Sequence, residues 1–209
     1  MSMQLNGPHG PKSDDLKNWV SSARKIVVFD LEWTSWPGFW ESNWAMPGKH
    51  REVIQIGAVV LDRDRGFGET GAFDLIVKPR INPQLSPYIQ ALTGLTQEKI
   101  EDEGSEFPDA ITKFTTFCEE ADVLFVNGED GIVIAENCQL HEMTCPATFQ
   151  KTRNVRPSLK AALPAEKAEF TSSELASHFG LAPVGEAHDA LADARGIAAT
   201  IKYLLDGSD

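Results

Sequence analysis

An α/β fold is predicted: one mixed β-sheet, a three-strand antiparallel meander extended by parallel strands, with helices on both faces. Three observations predict it. β-Branched and aromatic runs cluster early, at residues 25–31, 52–61 and 71–78, with only a polar turn at 62–68 between the last two. A further apolar run at 123–126 lies between helix-patterned stretches, as in chains that lay helices against a sheet. The last segment is dense in Ala, with Leu191, Ile197, Ile201 and Leu204 as its apolar positions, which reads as a long helix.

Residues 1–15 are rich in Gly, Pro and polar side chains and lack the apolar core of a signal peptide, so they are expected to be a disordered leader. Residues 16–209 are expected to form a single domain. A short helix is predicted at 16–24. The strand at 25–31 follows, and because strand side chains alternate, Asp30 and Glu32 project from one face. Two like charges beside an apolar strand are costly unless a cation neutralises them, and a hard, oxygen-seeking metal is the natural remedy. The alternative is that the pair caps a strand at the surface.

Residues 33–51 form a long aromatic connection. Trp36, Trp40 and Trp44 recur every fourth residue, so one helical turn would align them. They read either as a satellite packing cluster or as a stacking platform for a splayed base. After the second and third strands, helices are predicted at 88–92, 96–101 and 107–120, before the strand at 123–126. That strand runs into Asn127-Gly128-Glu129-Asp130, a Gly-containing turn that places Asp130 at a strand-to-helix junction before a helix at 132–143. An acid there can reach over the sheet edge beside Asp30, although Glu129 and Asp130 are also ordinary helix N-terminal acids.

An edge strand near 148–152 and helices at 158–163 and 172–179, with Gly180 as a stop, precede the final helix. In Glu186-Ala187-His188-Asp189-Ala190-Leu191-Ala192-Asp193, His188 precedes or opens that helix and Asp193 lies five residues on. Ala190, Ala192 and Ala194 keep the helix surface small, so it can pack close to a sheet edge. A capping histidine with two dipole-complementing acids is the competing reading.

Taken in order, Asp30 and Glu32, then Asp130, then His188 and Asp193 resemble the signature of the DEDDh 3′-to-5′ exonucleases of the ribonuclease-H-like superfamily. The resemblance spans residues 26–205. It includes the run 52–62, which looks like the family's second strand, and the segment 86–96, whose wording, with Asn127-Gly128-Glu129-Asp130, is nearest the branch that trims histone-message ends and small interfering RNA. It implies removal of nucleoside 5′-monophosphates from the 3′ end of single-stranded RNA or DNA, with RNA slightly favoured. It implies two Mg²⁺ ions, with Mn²⁺ as a substitute, held by Asp30, Glu32, Asp130 and Asp193. His188 would serve as general base, Trp33 and Thr34 would meet the terminal ribose, and Leu92 or Leu95 would press on the last base, although by sequence alone each of the last four reads first as a packing residue. Two other readings stand beside this one: a proofreading or repair DNA exonuclease related to the polymerase III epsilon subunit, and a non-catalytic adaptor that binds nucleic acid or protein. The adaptor reading is weakened because all five positions carry competent residue types.

Composition sets the surrounding limits. The 209 residues suffice to bury about seventy per cent of the extended surface, and no stretch approaches the apolar length of a membrane span. Cytoplasmic localisation is expected. Cys118, Cys138 and Cys145 lack metal-ligand spacing and read as reduced thiols. The net charge of −12 is unusual for a nucleic-acid partner, and four positive charges from two dications would still leave −8. Lys151, Arg153, Arg156 and Lys160, or Lys49 and Arg51, could supply local phosphate contacts, with solvated surface charge as the commoner reading of each cluster, and the substrate should be short or single-stranded, with low processivity. Protein partners are not indicated.

Overall fold

The computed structural model describes residues 14–167 and 169–207. Most of the expected leader, 1–13, lies outside the described residues, and helix α1 (Asp14–Ser22) starts two residues before the expected helix. Strands β1 (Lys25–Trp33), β2 (Val53–Asp62) and β3 (Gly68–Lys78) form the antiparallel meander. The β2–β3 turn closes where Asp62 accepts from the Asp64 N–H and Gly66 adopts a left-handed φ of 61°.

A two-residue strand β4 (Ser105–Glu106) pairs parallel with β3, and β5 (Val123–Val126) pairs parallel with β1. The last strand, β6 (Thr152–Asn154), pairs parallel with β5, giving the order β4-β3-β2-β1-β5-β6. This is the mixed sheet expected from the sequence, with two local differences. β4 is too short to leave a periodic signal, and the stretch 148–152 is mainly a 3-10 turn (Ala147–Lys151) ahead of the edge strand.

Strand alternation sorts the helices onto two faces. Val27, Phe29 and Leu31 of β1 pack with Ile56 and Ala58 under α4 (Phe107–Phe117) and α5 (Asp130–Leu140). Ile26 and Val28 point the other way, with Val59 and Leu61, toward α1, α6 (Arg156–Ala161), α7 (Ser172–His178) and α8 (Ala190–Asp206). Each fully buried Phe or Ile stabilises by about 1.5–3 kcal/mol relative to exposure. A third cluster joins Ile54 and Ile76 to α2 (Pro87–Thr93) and α3 (Gln97–Glu103) through Ile89, Leu95 and Ile100. Helix α2 begins where the Ser86 hydroxyl accepts from the Ile89 N–H (3.1 Å) and stops at Gly94, whose φ is 71°. Among the described residues no helix is long and apolar enough to cross a membrane.

Candidate active site

Asp30 and Glu32 have the same strand parity as Ile26 and Val28, so they face α8. They lie inside β1, whose pairing with β2 continues to Trp33 across a bulge after Glu32. Gly57 is the partner of Asp30 on β2. A Cβ at Gly57 would fall 2.1 Å from the Ala190 carbonyl carbon, so the start of α8 rests directly on the strand backbone. The close approach anticipated from the small Ala residues therefore occurs on the sheet face and is made possible by a glycine on the strand.

Gln55, the next residue of β2 on that face, pins the helix. Its Nε2 donates to Asp189 Oδ2 (3.0 Å) and Asp74 Oδ1 (3.0 Å), and its Oε1 accepts from the Ala190 N–H (3.2 Å). Asp189 caps α8 by accepting the Ala192 N–H at 2.9 Å. Asp193 then stands on the first turn, and His188 precedes the cap with a left-handed φ of 60°, a costly conformation for a non-glycine residue. One ligand atom each from Glu32, His188 and Asp193 lie within 4.8 Å of one another.

Asp130 arrives from the other face of the sheet. It is the first residue of α5, and its Oδ1 accepts the Leu31 N–H at 3.1 Å, fixing the carboxylate between Asp30 and Glu32 along the chain. Buried Asn137 ties α5 to the entry of β2, accepting from Val53 N–H (3.0 Å) and donating to Arg51 O (2.7 Å). Arg51 forks onto Glu136 (2.5 and 3.0 Å) and Glu129 (2.6 Å).

All four carboxylates are buried, and their electrostatics follow from that. Burial, then Asp130, Asp193 and Glu32, hold the Asp30 carboxyl well above the ordinary carboxylate range. Glu32 is raised likewise by burial and by Asp193 and Asp130. Burial pushes Asp130 up to about 6 against the opposing backbone hydrogen bonds, and burial with the neighbouring Asp189 pushes Asp193 up to about 7. The imidazole of His188 is lowered by burial, with Glu174 opposing. Four desolvated oxygen donors form a set that a hard divalent cation relieves; Arg51 offsets part of the cost at Asp130 but is itself paired with Glu129 and Glu136.

Comparison with known proteins identifies the family. Residues 27–201 match the RNase T-type exonuclease family. The chain belongs to this exonuclease family. Its relatives include the 3′-5′ exonuclease Snipper of Drosophila melanogaster, 26% identical over 205 residues, covering 88% of this chain and 70% of that protein. The 3′-5′ exoribonuclease 1 of Rattus norvegicus is 24% identical over 168 residues, covering 76% of this chain and 48% of the relative, so the chain spans about half of that protein. Among solved structures, the nuclease domain of 3′hExo, a DEDDh family member bound to rAMP, superposes with a TM-score of 0.76 at 24% identity, covering 90% of this chain and 94% of that one. The ribonuclease-H-like fold and a nuclease enzyme, both expected from the ordered acids, hold for this exonuclease.

The residues expected to contact substrate are placed differently from one another in the exonuclease. Trp33 is half-buried, edge-on to Trp44 with centroids 5.9 Å apart. Thr34 is buried: its hydroxyl donates to His50 O (2.7 Å) and accepts from Glu52 N–H (3.0 Å), and its own N–H donates to Glu52 O (2.8 Å). Its polar groups are thus engaged within the chain. Leu95 is buried in the third cluster, and Leu92 packs partly exposed against it.

Of the expected basic clusters, Lys151 and Arg156 bind the Ala121 and Phe170 carbonyls (2.8 and 2.7 Å), and Lys160 pairs with Glu169 (2.6 Å). Arg51 is a buried tie between elements, and Lys49 Nζ sits 4.3 Å from the Trp36 ring centre. Sequence reasoning did not single out Gln55 or Glu52. Gln55 could have been found as a polar residue inside an apolar strand, two positions before a glycine.

Proposed function

We propose that the chain is a metal-dependent 3′-5′ exonuclease that removes nucleoside 5′-monophosphates from the 3′ end of single-stranded nucleic acid, with RNA preferred over DNA. One observation carries the reading: the imidazole of His188 stands within 4.8 Å of ligand atoms of two buried carboxylates, Glu32 and Asp193. A purely structural role would not bury four acids close enough to act on one another electrostatically, because each raises the cost of ionising the others.

The donor set fits divalent metal: Asp30, Glu32, Asp130 and Asp193 offer only oxygen, as Mg²⁺ and Mn²⁺ prefer, and the family works with divalent cations. When bound, such ions supply positive charge to the scissile phosphate and acidify water. The protein's own residues supply the rest. Gln55 and Asp189 set the distance of Asp193 from β1, and the Leu31 N–H holds the orientation of Asp130. His188, lowered by burial, is neutral at pH 7 and accepts the proton of the attacking water. Attack at the last phosphodiester leaves the shortened strand with a 3′ hydroxyl and a free nucleoside 5′-monophosphate.

Support for an RNA substrate comes from relatives named as exoribonucleases. The net charge of −12 favours a short grip on a 3′ end over long tracking along phosphates. Matched 5′-labelled RNA and DNA oligonucleotides, incubated with Mg²⁺ or with chelator, test the reading. A ladder shortening from the 3′ end, faster for RNA, absent with chelator and accompanied by nucleoside 5′-monophosphates, is expected. Internal cleavage, 3′-monophosphate products or chelator-resistant activity would overturn it.

A further inference from the structure

The connection between β1 and β2 carries an aromatic cluster that the acid site does not use. Phe39 is its buried centre, met edge-on by Trp36 and Trp44, each at 5.3 Å between centroids. Trp44 also meets Trp40 at 5.2 Å, and the Arg51 guanidinium lies 5.2 Å from its ring centre. The expected single helical turn is instead a run of tight turns, in which Asn43 and Trp44 adopt left-handed φ values of 52° and 61°. An aromatic residue in that conformation costs about 1 kcal/mol or more, and the surrounding ring contacts hold it there.

At the crest stands Trp40, 72% exposed, the most exposed large apolar side chain among the described residues. Trp44 braces one side of its ring. The crest continues from the acid site: Trp33 follows Glu32, and Trp44 lines one cleft with Arg51, Glu129 and Ile132, which flank Asp130 in sequence. Trp44, packed on Trp40, thus joins its ring to a cleft whose Glu129 is the residue before Asp130. Glu129 and Glu136 share the single Arg51 as partner, so the cleft keeps a net negative charge that disfavours phosphate and leaves the indole face as the principal attraction.

We propose that Trp40 is a stacking platform for a nucleobase of a single-stranded substrate, upstream of the terminal dinucleotide, an inference that rests on the exonuclease reading above. An indole face accepts any base, so the platform would add affinity with little sequence preference. It would make cleavage depend on substrate length. A lone ring beside an acidic cleft offers little contiguous apolar surface to a protein partner.

The test compares wild type with Trp40→Ala and Trp40→Phe. Binding of a fluorescent eight-nucleotide single strand with a phosphorothioate 3′ linkage is measured across a salt series, alongside hydrolysis of a dinucleotide. Trp40→Ala is expected to weaken eight-nucleotide binding by about fivefold or more, with Trp40→Phe recovering most of it. The salt slope, the thermal midpoint and dinucleotide hydrolysis should stay at wild-type values, because no phosphate contact is lost. Unchanged eight-nucleotide binding, or an equal loss on the dinucleotide, would overturn the platform. If wild type cleaves neither substrate yet Trp40→Ala still weakens binding, the exonuclease reading fails and the platform stands.

Discussion

Gly57 and Ala190 meet backbone to backbone: the missing Cβ of Gly57 would lie 2.1 Å from the Ala190 carbonyl carbon, directly across from Asp30 on the neighbouring strand. The depth of this contact sets how far Asp193 stands from Asp30 and Glu32. Gly57→Ala must therefore lift the start of α8. It should destabilise the protein by roughly 1–3 kcal/mol through overpacking. Hydrolysis by the folded enzyme should fall by about a hundredfold, since a displacement near 1 Å spoils catalytic geometry. Single-turnover rates measured well below the thermal midpoint separate the two effects.

His188→Ala should fold normally, because the imidazole is half-buried on a loop, and should lose about a hundredfold to ten-thousandfold in kcat. Asp30→Asn should lose at least as much through the missing oxygen charge. Circular dichroism establishes folding, and a fully active Asp30→Asn would refute the assignment.

Stability of the metal-free protein should depend on pH in a direction set by the acids. Asp30, Glu32, Asp130 and Asp193 all have folded pKa values above their unfolded ones, so the folded state binds more protons and their stabilising contribution is present below about pH 4. It is lost as pH rises through about 6 for Asp130 and about 7 for Asp193. His188, lowered by burial, works in the opposite direction as a single group. In chelator the thermal midpoint should fall between pH 5 and 8, Mg²⁺ should restore it, and Asp30→Asn should raise it. A midpoint that rises across this range in chelator would contradict the electrostatic picture.

Glu52 is buried and its carboxylate accepts three successive N–H groups, from Arg80 (2.6 Å), Ile81 (2.7 Å) and Asn82 (2.6 Å). Glu52→Gln removes the charge and turns an amide donor toward donors. It should cost about 1.5–3 kcal/mol, read from the urea midpoint, with little change in the chemical step.

Much of this was legible in the sequence because the signals were local. Continuous β-branched runs marked β1, β2 and β5, and the five acid and imidazole positions stood in a recognisable order. What escaped depends on tertiary approach. Gly57 reads as a weak spot in a strand until a helix is laid on it, and Arg51 reads as a solvated cation until Glu129 and Glu136 close around it. Thr34 sits next in line after the acidic pair, yet its hydroxyl is engaged by His50 and Glu52, partners sixteen and eighteen residues away. The turn at Trp44 could not be read from a four-residue spacing, because left-handed backbone at an aromatic residue is imposed by its packing.

The claim beneath all of this is that Asp30, Glu32, Asp130 and Asp193 form one divalent-cation site beside His188. Calorimetric titration of Mn²⁺ into wild type, Asp30→Asn and Asp193→Asn tests it most directly. Saturable binding in wild type that is sharply weakened in both variants is the predicted result; equal binding in all three would contradict it.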